Sequence, residues 1–167
     1  KGQISISNVT FRYSASGTIA LSQTNLEIEA EDFVYLSGEA NSGKSTLMAL
    51  LSGLYQTGVG TISLDGIDIR QIGMDDLRQS ITYADGTGEL FYGTIYQNFR
   101  LAAPEISEQE VQDAILRMDL GKEILGLDDG IHTRLTESFR TSIPDATLRA
   151  LALARCFTRK SSIYMFN

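Results

Sequence analysis

The stretch DFVYLSGEANSGKSTLMALLSG, Asp32–Gly53, decides how this chain is read. It opens on a short apolar run, Phe33 to Leu36, of the kind a buried strand carries. It passes through GEANSGKST, Gly38–Thr46, into TLMALLSGL, whose residues favour helix and whose Gly53 supplies a stop. The loop meets the pattern G-x-x-x-x-G-K-[ST] with Gly38, Gly43, Lys44 and Ser45. Glycines let a backbone turn its N–H groups inward around phosphate oxygens. The following helix adds its N-terminal amides and dipole. Lys44 is expected to reach the outer phosphates of a nucleotide, and Ser45 to place its hydroxyl on Mg²⁺. Glu39, Ala40, Asn41, Ser42 and Thr46 complete the candidate nucleotide-binding loop. By itself such a loop fits nucleotide binding, hydrolysis, or an idle remnant.

Outward from the loop the pattern is of strands. QISISNVTF places Ile4, Ile6, Val9 and Phe11 as half-buried strands do, and NLEIEA alternates Leu26, Ile28 and Ala30. GTISLDG reads as a strand ending in a turn, and QSITYA as another short strand. From about residue 86 the character becomes helical. PEISEQEVQDAILRMDL opens on Ser107 with Glu110 three residues later, a capping box. Val111, Ala114, Ile115 and Met118 follow at helical spacing. LRALALARCF is a further apolar-faced helix carrying Cys156 as a packing residue, and SSIYMFN a final buried strand. The expected architecture is α/β: a nucleotide-binding core from residues 1–85 and 147–167, and a mostly helical subdomain over 86–146.

Composition narrows the class. The chain has 167 residues, 43% hydrophobic and 21% charged, enough for one globular domain with a substantial core. No apolar run approaches the ~18–20 residues needed to cross a bilayer, and KGQISIS has no long apolar segment of the kind a signal peptide needs. The single cysteine excludes an internal disulfide. A net charge of −7 argues against nucleic acid as a partner.

Three stretches beyond the loop add a resemblance. NVTFRYSASGTIAL carries Tyr13, GTISLDGIDIRQIGMDDLRQSITY follows the loop, and ELFYGTIYQN comes next. Together these resemble the nucleotide-binding domain of ABC transporters, of the exporter type. The resemblance runs from about Gly2 to Asn167 and implies a P-loop core with a mixed sheet and flanking helices, an N-terminal antiparallel β part and a helical insert. It implies ATP and Mg²⁺ as ligands. It also implies a transmembrane domain and a second nucleotide-binding domain (in a homo- or heterodimer) as partners, at the cytoplasmic face of a membrane. An aromatic at the position of Tyr13 stacks on adenine in that family; the alternative is that Tyr13 only packs on the sheet.

The chain departs from the family at three places. After ITY the family carries a glutamine that touches Mg²⁺ and the attacking water, where this chain has Ala84, Asp85 and Gly86. Before LALAR the family carries L-S-G-G-Q, which caps the γ-phosphate held by the opposite subunit. Here TSIPDATLRALALAR offers Ile143, Pro144, Asp145, Ala146 and Thr147, or Thr141 and Ser142 in a shifted register, and neither has both glycines. Pro144 lacks an N–H, and Asp145 sets negative charge near the expected phosphate. The Walker B strand should end in aspartate, and Asn167 stands there. His132 reads as a surface residue. In the family further strands follow Walker B, so more chain is expected after Asn167, and exposed apolar surface without it. Three functions fit the residues: an ATP-binding domain with weak or absent hydrolysis, a structural or regulatory domain that binds no nucleotide, or an active ATPase that tolerates the changes.

Overall fold

The computed structural model describes residues 1–15, 17–84 and 89–167. The chain divides into two compact units. The first comprises Lys1–Thr82 with Ser161–Met165, and the second Tyr83–Lys160 with Phe166–Asn167.

In the first unit β1 (Ile4–Arg12) is the centre of an antiparallel sheet. On one side it pairs with β2 (Ile19–Ile28), on the other with β3 (Val59–Leu64), and β4 (Ile67–Asp68) adds the far edge. The register sets Ile4 opposite Ile28 and Leu64, and Ile6 opposite Leu26 and Ile62. Alternation is then broken: the buried positions run Ile4, Ile6, Val9, Phe11, with a three-residue step in the middle. Asn8 takes a left-handed backbone there (φ 49) and its N–H donates to Asn25 Oδ1 at 2.8 Å. This is a bulge, and it returns Val9 to the buried face. Gly60 lies against it at φ 82, where an added Cβ would come within 2.4 Å of the Asn8 carbonyl oxygen, so only glycine fits. Asp65 (φ 50) and Gly66 (φ 81) turn β3 back into β4, as a tight hairpin requires.

α1 (Lys44–Leu51) buries Leu47, Leu50 and Leu51 on one face, at helical spacing. Gly53, at φ 74, ends it in the left-handed conformation expected of a helix stop. α2 (Met74–Ser80), which sequence reading did not separate from the strand after it, begins after Gly73 with Asp75 and Asp76 in its first turn. It takes Gln79 and Ser80, so β5 starts only at Ile81 and runs to Ala84. β5 pairs with β6 (Ile163–Phe166) in a separate two-stranded ladder. Only Met165 of β6 is buried, so the expected buried strand is present as a strand but not as a buried one.

The run Asp32–Leu36 departs further from expectation. It joins no strand among the described residues, and Phe33 is 98% exposed. A turn precedes it, with the Asp32 N–H donating to the Glu29 carbonyl and Glu31 at φ 72. An apolar run of this kind becomes a buried strand only where neighbouring strands accept its N–H groups and cover its side chains. No described strand does so.

The second unit is built from α3 (Ile95–Ala102), α4 (Glu108–Arg117), α5 (Glu137–Ser142) and α6 (Asp145–Phe157), joined by a π-turn at Gly121–Leu125 and a short 3₁₀ turn at Gly130–His132. Its core gathers Ile95 and Phe99 of α3, Val111 and Ile115 of α4, Leu151 of α6, Ile124 of the π-turn and Leu135 ahead of α5. Ala114 and Met118 pack against it, as the spacing predicts. Cys156 is half-buried on α6. His132 is exposed, 3.4 Å from a Glu108 carboxylate oxygen.

The capping box at Ser107 forms: Glu110 Oε2 accepts from the Ser107 N–H at 2.9 Å and from its hydroxyl at 2.8 Å. These bonds, the backbone one first, hold the Glu110 carboxyl below its ordinary range. A carboxyl depressed in the folded state stabilises fully above its unfolded value and loses that contribution as pH falls through the folded one. Acidification below about pH 4.3 is therefore expected to weaken the start of α4. The thermal midpoint of wild type minus that of Glu110→Gln, which keeps an acceptor but does not titrate, should fall between pH 6 and 3.

Candidate functional site

Gly38–Thr46 closes around its own lysine. Lys44 Nζ donates to the Gly38 carbonyl at 2.9 Å, to the Glu39 carbonyl at 2.7 Å and to Ser42 Oγ at 3.1 Å. Three acceptors on one ammonium fix the loop's curvature. Gly38 is at φ 155, Asn41 at φ 63 and Gly43 at φ 92. Asparagine tolerates the left-handed region better than other side chains, so Asn41 keeps the turn without glycine. Gly43 cannot be replaced as easily: a Cβ there would meet the Ala20 carbonyl oxygen at 2.6 Å and Leu21 Cδ2 at 2.8 Å.

Gly43 is also the N-cap of α1. It brings no side-chain cap, and no acidic residue stands in the first turn. The cap residue itself therefore offers no acceptor to the helix-start amides, and the first turn carries no acidic side chain against the positive end of the helix dipole. This is the donor set an anion such as a polyphosphate fits. Ser45 lies exposed in that first turn, and Thr46 beside it is buried.

A cleft of about 470 Å³ opens here, a size that takes a small ligand. Tyr13, Asn41, Ser42, Gly43, Lys44, Ser45 and Thr46 line it together with Thr18, Ile19 and Ala20. The structure thus brings Tyr13 to the loop across the chain, with its hydroxyl 2.9 Å from Thr46 Oγ1. Gly38, Glu39 and Ala40 stand outside the lining and shape the loop from behind, through the two carbonyls that Lys44 holds. Thr18, Ile19 and Ala20 were not legible as site residues. Ile19 and Ala20 open β2 and Thr18 immediately precedes it, and nothing in GTIAL marks them as facing a cleft.

The remaining candidate positions belong to the second unit or lie outside the described residues. Asp85 and Gly86 are among the latter. Pro144 is the N-cap of α6, without a side-chain cap, and Asp145 is in the first turn. The Pro144 carbonyl accepts from the Thr147 N–H at 2.9 Å. Thr141 and Ser142 sit inside α5, where their hydroxyls donate back to Glu137, Ser138 and Phe139 carbonyls. Asn167 follows β6; its N–H donates to the Ala84 carbonyl at 3.0 Å, and its side-chain amide lies 3.5 Å from the Tyr83 hydroxyl. Among the described residues no cluster of His, Cys, Asp and Glu is arranged to hold a metal, and no helix is long and apolar enough to cross a membrane.

A phosphate-type loop opening a helix, in a unit built on an antiparallel sheet, defines a P-loop nucleotide-binding domain. A sequence profile of the ABC transporter family matches residues 21–166, and the chain belongs to that family. Domains of this family bind ATP, generally with Mg²⁺. The chain is 34% identical over 160 residues to heavy metal tolerance factor 1 of Caenorhabditis elegans, covering 96% of this chain and 20% of that protein. It is 30% identical over 167 residues to the ATP-dependent lipid A-core flippase of Neisseria gonorrhoeae, covering 100% of this chain and 27% of that protein. Among solved structures, a bacterial Atm1-family ABC exporter with ATP bound superposes with a TM-score of 0.91 at 26% identity, over 99% of this chain and 29% of that one. The fold is that of an ABC exporter nucleotide-binding domain. The chain spans well under a third of the length of these relatives.

Proposed function

We propose that this chain is the ATP-binding domain of an ABC exporter in which nucleotide binding is retained and hydrolysis is weak or absent. One observation carries the reading: an intact phosphate loop, closed by Lys44 and opening on a helix whose cap residue is Gly43, in a chain whose α6 begins with Pro144 and Asp145. Tyr13 takes the base and Gly38–Thr46 the phosphates, with Lys44 exchanging loop carbonyls for phosphate oxygens. Mg²⁺, when bound, would offset phosphate charge, and the Ser45 hydroxyl is the group proposed to hold it. Its binding is expected to be weak, because Asn167 offers a neutral amide where the family has a carboxylate.

Phosphoryl transfer depends on positioning and charge compensation. The loop supplies these in the ground state. Pro144 gives α6 no N–H at its cap and Asp145 adds negative charge, so a partner's γ-phosphate is disfavoured there. Gly86 stands at the position of the family's glutamine. Loss of a general base alone costs roughly 10²–10⁴ in rate, and the other losses fall on the same step. A second nucleotide-binding domain and a transmembrane domain complete the working assembly, at the cytoplasmic face of a membrane. A partner with an intact signature would complete the ATP site at this chain's loop, which favours a heterodimer over a homodimer.

Steady-state phosphate release from the full-length transporter tests the reading. ATP binding without turnover is the expected result. Robust turnover that disappears on Lys44→Ala would overturn it. Absence of any ATP binding would favour a purely structural or regulatory role.

A further inference from the structure

An exposed aromatic on a loop samples several rotamers, and ordering it on a ligand costs conformational entropy. Tyr13, just past β1 and 58% exposed, is not left in that condition. Its ring meets Phe11 at a centroid distance of 5.1 Å and an interplanar angle of 83°, and Tyr55 at 5.2 Å and 89°. Phe11 and Tyr55 in turn lie 5.7 Å apart. Two near-perpendicular neighbours fix a ring plane in the arrangement that aromatic quadrupoles favour. Phe11 is buried in the sheet, so the group of three rings is rooted in the fold. The Tyr13 hydroxyl is tied at the other end, 2.9 Å from Thr46 Oγ1.

We propose that Tyr55 and Thr46 are positioning residues for base recognition: they set the plane of the Tyr13 ring and couple it to the phosphate loop. This rests on the nucleotide reading above. Tyr55 follows α1 and does not line the cleft, so it acts through Tyr13. Thr46 is in the first turn of α1, next to Ser45, on the same helix start that faces the phosphates. One side-chain hydrogen bond therefore ties the base platform to the phosphate cradle. Plain packing is a weaker account, because Tyr13 and Tyr55 stay 58% and 46% exposed while their rings are held nearly perpendicular. The consequence is selectivity: a ligand with both a base and phosphates gains from the arrangement, and bare polyphosphate does not.

Calorimetric titration with ATP and with inorganic tripolyphosphate, both with Mg²⁺, separates these contributions. Tyr55→Leu is expected to weaken ATP roughly three- to tenfold and leave tripolyphosphate within about twofold. Tyr55→Phe, which keeps the ring, should bind both as wild type does. Tyr13→Phe keeps the stacking ring and removes only the bond to Thr46, so it should weaken ATP a few-fold, again with tripolyphosphate unchanged. Equal losses for the two ligands, or unchanged ATP affinity in both Tyr55→Leu and Tyr13→Phe, would overturn the inference. A wild type that binds ATP no more tightly than tripolyphosphate would overturn it as well. A wild type that binds neither would overturn the nucleotide reading beneath it.

Discussion

Lys44→Ala is expected to weaken ATP binding by roughly ten- to a hundredfold, since a charge-assisted hydrogen bond contributes about 1.5–3 kcal/mol. The lysine reaches two of the loop's carbonyls and a hydroxyl together, at 2.9, 2.7 and 3.1 Å. Its removal takes away the positive charge proposed to meet the phosphates and the three bonds that curve Gly38–Ser42. Both losses act on the same ligand. Equilibrium titration with a fluorescent ATP analogue reads the effect. Lys44→Arg gives a second test: it keeps the charge, but a planar fork does not reproduce a compact ammonium inside a tight loop. It should recover only part of the affinity. Unchanged affinity in Lys44→Ala would remove the loop from the binding site and with it the proposed function. The fold should survive, because Lys44 is on the rim of the cleft and α1 is anchored by Leu47, Leu50 and Leu51.

Phe99→Ala is the substitution expected to damage the fold most, by about 3–5 kcal/mol. Phe99 is fully buried on α3 and belongs to the core that α4 and α6 also line through Val111, Ile115 and Leu151. Removing the ring leaves a cavity between rigid helices, which relax only in part. Asn98 beside it makes relaxation harder. It is buried, accepts from the Phe91 N–H at 2.7 Å, and donates to the Phe91 and Thr94 carbonyls at 2.9 and 3.0 Å. That network pins the start of α3 to the loop before it. Urea denaturation followed by circular dichroism measures the loss. Phe99→Leu, closer in volume, should cost much less. An alanine variant within about 1 kcal/mol of wild type would mean that this core is not packed as described.

Much of the helical unit and of the antiparallel sheet was legible because the signals are local. Ser107 and Glu110 are three residues apart, and the bonds they make span the same distance. Thr94 and Gln97 form a second capping box that sequence reading passed over, although T-x-x-Q was there to be seen. Asp75 and Asp76 after Gly73 likewise marked α2. The bulge at Asn8 was not readable from alternation alone, since Ile4, Ile6, Val9 and Phe11 break the period of two and only pairing shows on which face they rejoin. The clearest departure was Phe33–Leu36, where an apolar composition pointed to burial and the side chains are exposed.

The sequence by itself determined the phosphate-type loop, its glycines and lysine, the family and the changes at Pro144, Asp145 and Asn167. Each of these is a matter of residue type at a position, and the physics that reads them is confined to neighbouring peptide units. Only the tertiary structure decided that Lys44 holds two loop carbonyls, that β2 supplies one wall of the cleft, and that Tyr13 is fixed by Phe11, Tyr55 and Thr46. Each depends on which atoms the folded backbone brings together, from six residues apart for Lys44 and Gly38 to 33 for Tyr13 and Thr46. A ring stacks or a hydroxyl bonds only where the fold brings the partner within reach, and no local pattern records that distance.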